Sequence, residues 1–143
     1  MSEIEKVEPI DLGHWVLAPG VEFKPEALGF VYEITHIPTN RKYIGKKLMR
    51  SLKKLKPLKG KSRGRRVEKE TDWREYTSSS TELNGHIEKD GHKNNFKFEI
   101  LLFGNSKSRI AYEEAKLQFE KNVLFDDNYL NGIINLRISR VKD

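Results

Sequence analysis

Residues 29 to 47 read Gly-Phe-Val-Tyr-Glu-Ile-Thr-His-Ile-Pro-Thr-Asn-Arg-Lys-Tyr-Ile-Gly-Lys-Lys, and no other stretch constrains the fold as much. Two short runs of β-branched and aromatic residues flank Pro38-Thr39-Asn40. Proline and asparagine are turn formers, so the stretch predicts a β-hairpin. Tyr32 and Tyr43 fall on its two arms, Gly45 ends the second arm, and Lys46 and Lys47 follow at once. In an arbitrary hairpin, two cross-strand aromatics are packing. A hairpin that carries two phenols and opens into a cationic run is unusual for packing alone.

The charge distribution says more. The chain has 143 residues, enough for one domain with a modest core, and a net charge of +6. Residues 1 to 28 hold six acids and two bases, whereas residues 46 to 66 hold eleven Lys or Arg and no acid. Solvated faces usually mix signs. A one-signed run predicts phosphate contact, by Lys46, Lys53, Lys54, Lys56, Lys59, Lys61, Arg63, Arg65 and Arg66, with Arg74 just beyond. Cysteine is absent, which excludes disulfides and thiolate metal sites. No apolar stretch approaches the roughly 18 residues that cross a bilayer, and the acidic N-terminus lacks the apolar core of a signal peptide. A soluble cytoplasmic protein with no membrane partner is expected.

Taken in order, residues 1–28 predict an irregular acidic arm that lays Trp15, Val16, Leu17 and Phe23 on a domain spanning 29–143. Leu48, Leu52 and Leu55 recur at helical spacing before Pro57, which predicts a short helix over 47–55 followed by a mobile Gly-, Ser- and Arg-rich loop. Together these form a basic insertion, 48–72. Ser79 with Glu82 matches a capping box, Leu83 and Ile87 pair one turn apart, and Gly91 suits a helix end, so a helix is expected over 80–90. Trp73 reads as a packing anchor. Phe96 to Phe103 predicts a third strand, and residues 108–124 a helix with Ser108 as its cap. Residues 126–131 form a turn, and the apolar run from Gly132 closes the core.

Phosphodiester hydrolysis needs an activated water, a cation for the charge developing on phosphorus, and usually a metal at the leaving oxygen. The helix over 108–124 offers Glu113, Glu114 and Glu120. Glu113 and Glu114 share apolar neighbours one turn away, so helical spacing does not choose between them. A free phenol titrates near 10, so tyrosine works as a base only if a cation lowers that value; Lys46, Lys47 and Arg50 are near in sequence. Other chemistries lack their residues. There is no cysteine nucleophile, His14, His36, His86 and His92 show no metal-ligand spacing, and residues 60–66 lack the order of a phosphate-binding loop.

Phe30-Val31-Tyr32, Tyr43-Ile44-Gly45-Lys46-Lys47, the long basic insertion and the following Trp73-x-x-Tyr76-x-Ser78-Ser79 together resemble the GIY-YIG nucleases, most of all the small phage Seg-type homing endonucleases. Phe30 stands where that family has the first glycine. The resemblance implies an α+β domain with a three-stranded, mainly antiparallel sheet and about three helices. It implies a DNA endonuclease or nickase using one Mg²⁺ (or Mn²⁺) ion, acting on double-stranded DNA in a bacterial host, in homing or in competition between phages. It assigns Tyr32 and Tyr43 to water activation and phosphate orientation, Glu114 to the metal, and Asn131 to support of the site. Lys47 and Arg50 take the catalytic cations, with Lys53 and Arg74 as alternatives to Arg50. The rival class is a DNA-binding repressor derived from such a nuclease. Without a separate DNA-binding module in sight, selectivity is expected from the basic insertion, the arm or self-association on DNA.

Overall fold

The structure is a computed structural model and describes residues 10–62, 64–91, 93–135 and 139–141. The hairpin is present as β2 (Gly29–His36) and β3 (Arg41–Leu48), in unbroken antiparallel register from Gly29 opposite Leu48 to His36 opposite Arg41. Asn40 closes the turn at φ 58°, a left-handed conformation asparagine tolerates, and its amide donates to the His36 carbonyl. The third expected strand is β6 (Phe96–Gly104), antiparallel to β2. A bulge between Val31 and Tyr32 shifts that pairing, so the irregularity falls beside one of the two tyrosines.

The arm is not wholly irregular. Trp15–Leu17 form a strand, β1, that pairs in parallel with β6, and the sheet is therefore four-stranded and mixed, in the order β1-β6-β2-β3. Three residues give almost no periodic signal. What holds them is burial of Trp15, packed edge-on against Phe30 and Phe98.

The predicted helix over 47–55 is absent. The chain continues as β4 (Arg50–Leu55), which pairs with β5 (Arg65–Glu70) in a separate two-stranded ribbon. The reason is tertiary. The amides of Met49 and Arg50 donate to the Leu28 carbonyl, and the Thr71 amide donates to that of Met49, so the chain enters and leaves the ribbon already extended. The helical spacing of three leucines loses to these bonds.

Two α-helices stand among the described residues where three were expected: α1 (Thr81–Asp90) and α2 (Lys107–Glu120). Their N-caps are Ser80 and Ser106, not Ser79 and Ser108, each accepting from the amide three residues on. Gly91 ends α1 in the left-handed conformation, as expected. α2 stops four residues before the predicted end.

Alternation along β2 splits the core in two. Phe30, Tyr32 and Ile34 join Trp15, Trp73, Leu83, Phe98 and Ile100 on one face, while Val31 meets Ile44, Ile110 and Val123 on the other, under α2. Trp73 is buried, as an anchor should be. The C-terminal closure rests on Leu130 and Ile134, since Ile133 is 76% exposed and residues 136–138 lie outside the described residues. No helix among the described residues is long and apolar enough to cross a membrane.

Candidate functional site

Gly45 sets the geometry of the two tyrosines. Register places it opposite Tyr32, and a Cβ there would collide with the Tyr32 hydroxyl and come within 3.0 Å of the Tyr43 ring. Only glycine lets the phenols lie against the strand. Their ring centroids are 6.3 Å apart, and Tyr76 stands edge-on to Tyr32 at 6.2 Å. Lys47 closes this face: its Nζ lies 4.1 Å from the centre of the Tyr76 ring and 2.9 Å from Asp72 Oδ1.

Lys46, one residue after Gly45, is expected on the opposite face of the strand, the side covered by α2. There its Nζ lies 3.3 Å from Glu114 Oε1. Glu114 is 8% exposed, one turn after the buried Ile110. Glu113 instead pairs with Arg109 at 3.0 Å. Contact thus separates two glutamates that helical spacing left equivalent. Although Glu114 stands on α2 and the tyrosines on β2 and β3, the Glu114 charge reaches both phenols and helps to raise their pKa.

The strand between them is fixed from outside. β3 is a sheet edge, and the backbone of Ile44 is satisfied by side chains in place of a neighbouring strand. Its N–H donates to Asn131 Oδ1 at 3.0 Å, and its carbonyl accepts from Asn131 Nδ2 at 2.8 Å and Gln118 Nε2 at 3.0 Å. Asn131 and Gln118 therefore hold the residue between Tyr43 and Gly45. Gln118 went unnoticed in the sequence, although it lies one turn after Glu114 on the same helix.

The electrostatics correct the expectation for the phenols. Burial is the largest influence and drives the pKa of both Tyr32 and Tyr43 above the ordinary value. The cations that were to lower it are engaged elsewhere, Lys46 by Glu114 and Lys47 by Asp72. Both phenols are protonated at neutral pH and act as hydrogen-bonding groups. Ser78 reaches both and Ser79 reaches Tyr43, each opposing the rise. Ser78 is buried at φ 114°, a region L-residues rarely adopt, and backbone strain of this kind tends to gather at functional sites. The motif around Tyr76 and Ser78 was legible, but nothing in it announced that φ. Burial likewise raises the Glu114 carboxyl, and Lys46 opposes it.

The arginines lie apart from the tyrosines. Arg50 donates to the Pro25 carbonyl and pairs with Glu68 at 3.0 Å, while Arg74 pairs with Glu70 and stacks on Trp73. Together with Phe23 and Met49 they line a separate cleft of about 390 Å³. Lys56, Lys59 and Lys61 are exposed on the loop that joins β4 and β5. Lys53, Lys54, Arg65 and Arg66 belong to the ribbon strands by backbone, and Arg63 lies outside the described residues.

Among the described residues no three acidic or histidine side chains cluster as a metal cage. Glu114 still fits a metal that carries most of its own shell. Magnesium is commonly held by one or two carboxylates, with water and phosphate oxygens completing six positions. Only Oε1 of Glu114 is engaged by Lys46.

No curated protein matches the chain, and no solved structure does. Residues 19–134 match the family described as "Putative endonuclease segE, GIY-YIG domain". That span takes in both tyrosines, the glutamate and Asn131, and it covers most of the chain. By this match the chain belongs to the GIY-YIG nucleases, in their Seg-type branch.

Proposed function

We propose that the protein is a divalent-metal-dependent endonuclease that cuts double-stranded DNA at the edge formed by β3. The observation that carries this reading is the convergence on one strand of two phenols, an ammonium and a buried carboxylate, each fixed by the fold. Tyr43 is partly exposed and Tyr32 is 1% exposed, so the two phenols take different parts. Tyr43 reaches the substrate and orients the attacking water. Tyr32, packed on Gly45, holds Tyr43 and Tyr76 in place. Lys47 is the cation beside the phenols, in the role the resemblance divided between Lys47 and Arg50. Its partner Asp72 is 73% exposed in its side chain and yields Lys47 to an incoming phosphate. Glu114 would hold the metal ion, which when bound supplies Lewis-acid polarisation of the phosphate and a more acidic water.

The ribbon supplies the grip. Two six-residue arms span about 20 Å at 3.4 Å per residue. The major groove of B-DNA, about 12 Å wide, admits such a two-stranded ribbon. Residues 50–66 contain nine Lys or Arg and no acid, Glu68 and Glu70 lie at the far end of β5, and among the described residues the ribbon pairs with no strand of the main sheet. An isolated two-stranded ribbon is marginal alone, which suits an element completed by its partner. The ribbon begins three residues after Lys47 and ends two before Asp72, which pairs with Lys47, so DNA held by it passes the tyrosines.

Incubation with supercoiled plasmid in Mg²⁺ is expected to yield nicked or linear product, and EDTA should prevent it. Intact plasmid bound at saturation would overturn the reading in favour of a repressor. Replacing Arg63, Arg65 and Arg66 by Ala should flatten the dependence of log K on log salt by about two to three units, at roughly −0.9 per phosphate contact. The loss should be equal on unrelated sequences, because phosphates carry no sequence information. An unchanged slope would place the DNA path away from the ribbon.

A further inference from the structure

The segment that presents Tyr76 and Ser78 has little regular structure of its own. It runs between Asp72 and the cap of α1, with one turn in which the Glu75 and Tyr76 amides donate to the carbonyls of Asp72 and Trp73. What fixes it comes from a distant part of the sequence. Trp15 Nε1 donates to the Trp73 carbonyl at 2.6 Å, the His14 amide donates to the Arg74 carbonyl at 3.2 Å, and His14 Nε2 lies 2.9 Å from the Tyr76 carbonyl. Three of the four carbonyls from 73 to 76 are thus taken by two adjacent residues. Arg74 Nε returns a bond to the Asp11 carbonyl at 2.9 Å, and Gly13 passes so close to Arg74 that any Cβ would collide with it. These clamping residues precede position 19, where the match to the nuclease family begins.

From this clamp we infer that His14 is a positioning residue for cleavage, holding Tyr76 against Tyr32 and Lys47 by a hydrogen bond to the Tyr76 carbonyl. The inference rests on the reading of the tyrosine cluster as the active site. Only a neutral ring protonated at Nε2 donates to that carbonyl and leaves Nδ1 bare, and Nδ1 is indeed buried without a partner. The surroundings favour the neutral ring. The imidazole stacks on Phe98 at 3.8 Å, and the charged group acting on it is Lys93. Burial, and then Lys93, lower its pKa to about 4, so the donor is in place throughout the neutral range.

The test is a double-mutant cycle on the whole chain. His14→Leu and His14→Gln are made in the wild type and in Tyr76→Phe, and single-turnover cleavage of plasmid is measured at saturating DNA and Mg²⁺, alongside DNA affinity and melting. His14→Leu should slow cleavage about tenfold, the scale of a modest misplacement of a reacting group, with affinity unchanged within about twofold. His14→Gln places an amide donor near Nε2 and should restore the rate. In the Tyr76→Phe background His14→Leu should cost nothing further, because residues that act through one another are not additive. Additive losses, or a Gln variant as slow as Leu at equal melting temperature, would overturn the positioning role. If Tyr76→Phe alone cuts at the wild-type rate while His14→Leu is slow, the placing of Tyr76 in the site fails instead. Should His14→Leu not fold, the Gln variant and the cycle built on it decide the question, since loss of rate there without loss of melting temperature also overturns the proposal.

Discussion

Glu114→Gln is expected to reduce cleavage to background, a loss of about 10³ or more, while DNA binding stays within about twofold. The change removes one negative charge and keeps the shape of the side chain. A divalent ion held by a single carboxylate depends on that charge, and metal-assisted charge stabilisation supplies several kcal/mol of the barrier reduction. Folding should survive. The carboxylate is buried and its ionised form is disfavoured by that burial, with Lys46 as the opposing influence, so a neutral amide is not costly to bury there. The same burial sets a pH dependence. Because burial raises the Glu114 carboxyl, protons compete with the metal ion for it, and the Mg²⁺ concentration needed for cleavage should rise as pH drops. The checking measurement is a single-turnover rate against Mg²⁺ concentration from neutral pH downward, beside a binding curve for the Gln variant in EDTA. A Gln variant that cuts at near the wild-type rate would remove Glu114 from the metal. Glu113 would then be the candidate, and its pairing with Arg109 would have to open.

Tyr43→Phe and Tyr32→Phe should each lower the cleavage rate by about 10² or more, the usual scale for a group that orients or exchanges a proton at the reacting centre. Both keep the ring that packs on Gly45. Tyr32→Phe removes a buried hydroxyl in reach of Ser78 and should cost about 1 kcal/mol of stability. Tyr43→Phe, at a partly exposed position, should cost less. The two are expected to differ in a second respect. Since Tyr43 is the phenol that faces solvent, its loss should fall on the rate at saturating DNA. Loss of the Tyr32 hydroxyl should be non-additive with Tyr76→Phe, because the two rings are in contact. Full activity with normal melting in the double Tyr32→Phe, Tyr43→Phe variant would return both residues to simple hairpin packing.

The limits of sequence reading are sharpest around Lys47. Lys47, whose Nζ lies over the Tyr76 ring, belongs to the second strand of the hairpin and is legible from the hairpin alone. Arg50, three residues on, was placed on the same helix by the spacing of Leu48, Leu52 and Leu55, but there is no helix. Bonds from Leu28 and Thr71 hold the chain extended at Met49, and Arg50 turns to Pro25 and Glu68. A periodic pattern reports what a segment prefers when its backbone is free to choose, and here the backbone was already committed. Trp15–Leu17 failed to register for the opposite reason: a three-residue strand is too short to carry a period, and its pairing with β6 is driven by burial of one indole.

What the sequence determined by itself was the hairpin with its two tyrosines, the strand at Phe96, the helices after Ser80 and Ser106 to within a few residues, and the one-signed charge of residues 46–66. Each follows from local rules of alternation, capping, turn chemistry and charge count. The tertiary structure decided which glutamate faces β3, the direction of the tyrosine shifts, and the pairing of the basic insertion into a ribbon. It also brought Ser78 and Tyr76 beside Tyr32, in a segment bonded to His14 and Trp15. These depend on burial and on contacts between residues far apart in the chain. Desolvation of a phenol, or a carbonyl claimed from sixty residues away, has no local signature to read.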